Sequence, residues 1–506
     1  MQASSRLLAT ALLCLSGLAH AQEVIVISPG HVDERRVRPV SSAEDGRRQA
    51  RALDMTRKTW IGDFGQMLER RVIRVLVPYS RTLYFQDRGR QRGITADTVR
   101  DFERYLNEKY RERLRNRPLT VAMIPGTRNV MFEEVANGLG DIAAGNLTVT
   151  EERLKVVDFV APTELPPVSE LLLTGPKSPA MHSLDDLAGK TVHVRKTSSS
   201  HESLVALNER FSAEGKVPIT LALVPDGLED EDMMEMLNAG LFEAVVVKDW
   251  MAKMWVQILP KVRIHKNIVL RSEGRIGWAI RKGSPELDEE IRDFFTNYVQ
   301  KEHVAESRLA SYMKRIKQIK DPTRAAEWKR FEQTVALFEK YGTRYHFDPL
   351  MLVAQGYQES LLDQSARSVV GAVGIMQLMP ATGAEMEVGD INMTESNIHA
   401  GAKYMDQLMS VFFADAKFSE FDRPLFAFAS YNAGPGKIAK LRKLAVKRGL
   451  DPDKWLNNVE LVTAERIGIE TTTYVRNIYK YYIAYKLTVD LQERQKKIRE
   501  TFQSSN

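Results

Sequence analysis

From Val72 to Ile280, short apolar runs closed by proline or glycine alternate with stretches in which apolar residues return every three or four positions. Such a chain buries both kinds of segment by laying helices on a sheet, so the rhythm predicts an α/β architecture with a mostly parallel sheet. The run from Val72 to Val77 reads as a buried strand ending at Pro78, and Ala96 to Leu106 as an amphipathic helix. Leu119 to Ile124 reads as a strand, Val130 to Asn137 as a helix stopped by Gly138, and Asp141 to Ala144 as a short buried strand. A crossing marked by Pro162 and Pro167 leads into a second lobe, where Ser183 to Lys196 supplies helix, turn and strand. Ile276 to Ile280 returns to a strand before a helix that opens at Pro285. Two lobes joined by crossing segments are how a hinged ligand clamp is built.

A different pattern governs Gln355 to Gly383. Asp348 suits an N-cap and Pro349 the first helical position. Leu350, Val353, Ala354 and Tyr357 share one buried face. Glu359 then falls in the last turn, before the glycine-spaced loop Gly371 to Gly374. A carboxylate at the negative end of a helix dipole, shielded by apolar neighbours, has its ionised form disfavoured and its pKa raised. That is what a general acid needs near neutral pH. On its own, a glutamate near a helix end is more often a solvated surface residue. Asn397, Ile398, Gly401, Tyr404 and Leu408 stand at helical spacing and read as core packing.

The other segments bound the answer. Residues 1–21 hold Arg6, an apolar run from Leu7 to Leu18 and Ala19-His20-Ala21, the form of a secretory leader with an A-x-A cleavage site. Its apolar core is too short to span a membrane. Cys14, the single cysteine, lies inside it without the small preceding residues that lipidation wants, so the mature chain has neither disulfides nor a catalytic thiol. The formal charge of +6 over 506 residues is too small to argue for nucleic acid. It suits an anionic polymer or surface equally with an ordinary basic protein. Residues 22–69 read as a polar extension that becomes structured near Trp60, and 306–340 as a charged helical connector. Within it, the basic run from Lys314 to Lys320 is broken at Pro322, and an amphipathic helix from Ala325 to Tyr341 ends at Gly342. The tail 491–506 reads as flexible. The nine histidines show no ligand spacing, so neither metal nor cofactor is expected.

Five ordered blocks carry a resemblance: Glu359-Ser360, Ala366-Arg367-Ser368, GAVGIMQLMPATG to Gly383, ASYNAG to Gly434, and IETTTYV to Val475. Together they resemble lytic transglycosylases with a goose-type lysozyme fold, which implies a mainly α catalytic domain over 341–490 acting on peptidoglycan glycan strands. The resemblance puts the single catalytic acid at Glu359. It implies substrate contacts from Ser368, Met376, Gln377, Tyr431, Asn432 and Tyr474. For Tyr431 and Asn432, a core tyrosine and a capping asparagine are the plain alternatives. Ordinary glycosidases use two carboxylates, and Asp363, Glu385 and Glu387 fall on no such block. One acid then implies non-hydrolytic cleavage to a 1,6-anhydromuramoyl end.

Residues 70–305 resemble periplasmic solute-binding proteins for amino acids and other polar solutes, through GLGDIAAGNLTVTEERLKVVDFVAP (Gly138 to Pro162), SLDDLAGKTVHV (Ser183 to Val194) and LNAGLFEAVVVKD (Leu237 to Asp249). The resemblance makes Arg153 the grip on a ligand carboxylate, with Thr148 and Asn146 beside it, although Arg153 reads equally as an ion-pair partner of Glu151 or Asp158. Lys248 stands where an acid for the ligand ammonium is expected, which argues against a free α-amino acid and fits a second carboxylate, as on cell-wall stem peptides. The order of domains resembles the membrane-bound lytic transglycosylase F group. It implies a periplasmic enzyme, with peripheral attachment to the outer membrane compatible with the leader. A hydrolytic muramidase and a sensor with an inactive lysozyme-like part are the alternatives.

Overall fold

The protein is described by a computed structural model over residues 58–87, 89–161, 167–298 and 325–504. The leader, most of the polar extension, the crossing at Pro162 and the basic part of the connector lie outside those residues.

The first lobe is built on β1 (Val72–Pro78), a hairpin of β2 (Phe85–Asp87) and β3 (Arg90–Arg92), helix α1 (Ile94–Lys109), β4 (Thr120–Gly126), β5 (Ile142–Thr148) and β6 (Asp158–Val160). The chain then forms a second lobe from β7 (Val168–Thr174), β8 (Thr191–Arg195), β9 (Thr220–Val224), helix α2 (Asp230–Ala239), β10 (Ala244–Lys248) and β11 (Arg263–Gly274). It returns through β12 (Ile276–Ile280) and helix α3 (Pro285–Asn297). The sheet orders are β4-β1-β5-β12-β6 and β11-β7-β10-β8-β9.

Each sheet is mixed rather than mostly parallel. In the first, β1 runs parallel to β4 and β5, while β12 is antiparallel to β5 and β6. In the second, β8 runs parallel to β9 and β10, while β7 is antiparallel to β10 and β11. The strands that enter and leave the crossings carry the reversed direction, which apolar periodicity does not encode. All seven residues of β1 are buried, as expected of a strand covered on both faces. Arg74 lies within it because its guanidinium meets Asp141 at 2.7 Å; a buried charge persists only when paired.

The C-terminal part is helical: α4 (Ala325–Tyr345), α5 (Pro349–Ser360), α6 (Thr394–Phe412), α7 (Asp422–Ala433) and α8 (Ile469–Ser504). Asp348 caps α5 by accepting from the Leu350 amide at 2.9 Å, with Pro349 in the first turn. Met351 to Tyr357 are all buried, so α5 is the central helix rather than an amphipathic one. It packs between α4 and α8.

Two expected boundaries move. Helix α4 runs past Gly342 to Tyr345, because the glycine answers a packing need. A Cβ there would stand 2.9 Å from the Phe347 carbonyl. Helix α8 continues to Ser504 instead of fraying after Asp490, in keeping with the helix-forming Lys, Arg, Glu and Gln of that stretch.

Both parts meet at a buried charge cluster. Lys480 of α8 lies 2.7 Å from both Asp232 and Glu235 of α2. Arg81, from the loop after β1, pairs with the same two acids at 3.1 and 2.7 Å. Arg476 donates to the Gly227 carbonyl at 3.1 Å and is held by Glu460. First lobe, second lobe and helical part therefore share one network.

Candidate active site and ligand clamp

The helical part converges on Glu359. Helix α5 ends one residue later, with Leu361 and Leu362 both in the left-handed region at φ 59°, a conformation that costs a non-glycine residue energy and is common at functional sites. Ser360 fastens this end, its hydroxyl donating to the Ile375 carbonyl at 2.9 Å. Tyr474, in the second turn of α8, donates its hydroxyl to Glu359 Oε1 at 2.5 Å. Burial pushes the Glu359 carboxyl up to about 7, partly offset by the Tyr474 hydrogen bond. Gln355, one turn earlier on α5, is fully buried beside Tyr474. Sequence reasoning passed over it; its signal was the i, i+4 spacing to Glu359.

The glycine loop is fixed from behind. The Met376 amide donates to Asn397 Oδ1 at 2.8 Å, while Asn397 Nδ2 donates to the Val373 and Ile391 carbonyls, both at 2.9 Å. At Gly374 (φ 79°) a Cβ would lie 2.4 Å from Asn397 Nδ2, so glycine is required. Asn397 is thus packing, and also the brace of the loop.

Each expected substrate residue has a definite place. Ser368 is buried, and its hydroxyl accepts from the Ala372 amide at 2.8 Å, closing the loop. The Met376 side chain is fully buried against Gly401, so it backs the cleft from the core. Its carbonyl accepts from Tyr431 Oη at 2.7 Å. Gln377 donates through Nε2 to the Gly374 carbonyl at 2.8 Å, while its Oε1 is a buried acceptor with no partner among the described residues. Tyr431 senses the Glu359 charge, and burial raises its pKa well above the usual tyrosine value. Tyr404, read as core, stands edge-on to Tyr431 at 5.5 Å. Asn432 accepts from Thr471 at 2.8 Å and so ties α7 to the start of α8. Of the nearby acids, Asp363 is turned to Ser365 and Arg330, while Glu385 and Glu387 are exposed.

The clamp residues also come together, at the face between the lobes. Arg153 donates to the Thr148 carbonyl at 2.9 Å and, across the lobes, to the Thr197 carbonyl at 3.1 Å, with Glu202 at 3.6 Å. Neither Glu151 nor Asp158 is its ion partner. Thr148 accepts from Ser199 at 3.0 Å. Lys248 is buried, donates to the Asn146 carbonyl at 3.2 Å, and has its pKa lowered to about 8 by burial. Asp230 and Glu170 oppose that shift. Sequence reasoning missed these two acids, and also Arg128, which grips Glu229 across the lobes at 3.0 and 2.9 Å. No local motif marks them, since each pairing joins residues far apart in the chain.

Known proteins match the chain in two blocks. Bacterial extracellular solute-binding proteins, family 3, match residues 73–309, and the transglycosylase SLT domain matches residues 336–452. A membrane-bound lytic murein transglycosylase F from Desulfosudis oleivorans is 30% identical over 70% of this chain and 79% of that protein. One of the same name from Pseudomonas fluorescens is 27% identical over 81% of this chain and 84% of its own length. A solved ancestral arginine-binding protein bound to arginine is 22% identical, covering 47% of this chain and 96% of that one at a TM-score of 0.37, a likeness too low to transfer a ligand.

Proposed function

The chain belongs to the membrane-bound lytic murein transglycosylase F family and is a peptidoglycan lytic transglycosylase, and we propose that Glu359 is its single acid and base. The observation that carries this is the carboxyl itself, titrating at about 7 and held through one oxygen by Tyr474. With Oε1 engaged, Oε2 carries the transferable proton toward the glycosidic oxygen. The N-acetyl oxygen of the muramoyl residue stabilises the cationic centre as the bond to the leaving sugar breaks. The new carboxylate then takes the proton from the C6 hydroxyl, whose oxygen closes on C1 to give the 1,6-anhydro ring. A group titrating near neutrality can serve in both directions. In this reading Gln377 Oε1, an acceptor without a partner among the described residues, accepts from a sugar amide or hydroxyl, with Tyr431 and Asn432 beside the same cleft. The test is Glu359→Gln on purified sacculi, with circular dichroism to verify the fold. Retention of most activity by the folded variant would refute the assignment.

The finer reading of the clamp is that cell-wall stem peptides bind between the lobes and change cleavage. Arg128 Nη2 and Arg195 Nε are buried donors without an acceptor among the described residues, and a peptide carboxylate supplies acceptors. The charge cluster at Lys480 gives lobe movement a route to α8, the helix that carries Tyr474. Calorimetry with purified stem peptides tests this, with Arg153→Ala expected to lose binding while basal cleavage survives. No binding heat at saturating peptide would leave the clamp a targeting module. We assign the enzyme to the periplasm, attached peripherally to the outer membrane; no helix among the described residues is long and apolar enough to cross a membrane.

A further inference from the structure

We propose that a cavity at the hinge of the clamp is a second ligand site, separate from the inter-lobe face, and that it takes a small zwitterion with a bulky apolar or aromatic body. The cavity has a volume of about 570 Å³, within the range of small-molecule sites. Its walls come from three places: Leu83, Ile94 and Phe295 of the first lobe, Trp250 of the second, and the return strand with Trp278. Of the clamp residues Asn146 alone lines it, and Arg153, Thr148 and Lys248 are absent from its walls. A partition separates the two sites, where Trp250 Nε1 donates to Asn146 Oδ1 at 3.2 Å and Lys248 reaches the Asn146 carbonyl.

The polar groups point to the ligand's head. Glu273 and Arg275 line the cavity and are exposed. They stand two residues apart across Gly274, and both border the same cavity. Neither has a side-chain partner among the described residues. One anion and one cation side by side match an ammonium and a carboxylate, while the indole and phenyl walls match an apolar body. Deeper in, Asn146 Nδ2 is a buried donor without an acceptor among the described residues. Glu273 adopts left-handed backbone at φ 53°, and strain of that kind clusters at ligand sites. Because both lobes supply walls, an occupant fixes the angle between them.

Calorimetry on the full mature chain decides this, using L-phenylalanine, phenethylamine and 3-phenylpropionate as probes. L-Phenylalanine is expected to saturate, with each single-charge analogue at least about tenfold weaker, or roughly 1.4 kcal/mol. Thr98→Trp, which fills the cavity from α1, and Arg275→Glu, which changes only an exposed charge, should each weaken binding by about tenfold or more. Arg153→Ala should change it less than about twofold. Absence of saturation up to about 10 mM, or loss in Arg153→Ala with retention in Thr98→Trp and Arg275→Glu, would overturn the proposal. The readout is binding alone, so it is independent of whether Glu359 or stem peptides act as proposed above.

Discussion

Tyr474 Oη donates to Glu359 Oε1 at 2.5 Å across 115 positions of sequence, joining the last turn of one buried helix to the second turn of another. This bond favours the ionised carboxyl and so holds the Glu359 pKa below the value burial alone would set.

Tyr474→Phe should therefore raise the Glu359 pKa above about 7. The acid stays protonated to higher pH, but it is less firmly aimed and is a worse partner when it must act as carboxylate. We expect cleavage to fall about 10- to 100-fold, with the alkaline limb of the pH–rate profile moved upward. A profile that stays in place or moves down would show that the bond does not tune the acid.

Stability carries the same signature with opposite use. Because the Glu359 carboxyl titrates higher in the fold than in the unfolded chain, the fold holds a proton between about pH 4.5 and 7 that the unfolded chain has released. Folding stability from this group thus declines as pH rises through that window, and the full penalty is present above it. Glu359→Gln should be more stable than the parent at pH 8, by about 1–3 kcal/mol, and nearly equal at pH 4. Thermal melts at the two pH values check this; equal stability at pH 8 would mean that the carboxyl is not perturbed.

Lys480 is the cation that Asp232 and Glu235 share with Arg81. Lys480→Met keeps the side chain's length but leaves two buried carboxylates with one partner. We expect a loss of roughly 3–5 kcal/mol, read by denaturant unfolding. A loss below about 1 kcal/mol would indicate that solvent reaches the cluster and screens it.

Local chemistry was legible in the sequence; long-range pairing was not. Asp348, Pro349 and the last-turn position of Glu359 follow from helix-end rules that involve only neighbours in the chain. Six of the seven buried residues of β1 follow from their apolar character, while the burial of Arg74 depends on Asp141, 67 positions away. By contrast, Gly342 resembled a helix stop because a glycine that ends a helix and one that admits a neighbouring carbonyl look alike in sequence. Met376, a substrate contact by resemblance, has a fully buried side chain, and an apolar residue beside a glycine loop carries no mark of which way it faces. Arg128 and Glu229, 101 positions apart, are ordinary charged residues until the lobes meet. The antiparallel returns in both sheets were hidden for the same reason, since strand direction is set by where the chain crosses.

The most direct measurement is the mass of muropeptides released from purified sacculi by the parent enzyme. A single acid at Glu359, without a second carboxylate to activate water, predicts products with 1,6-anhydromuramoyl ends. Each should be lighter by one water than its hydrolysed counterpart and resistant to borohydride reduction. Reducible muramic acid ends as the main product would contradict the account and establish a muramidase.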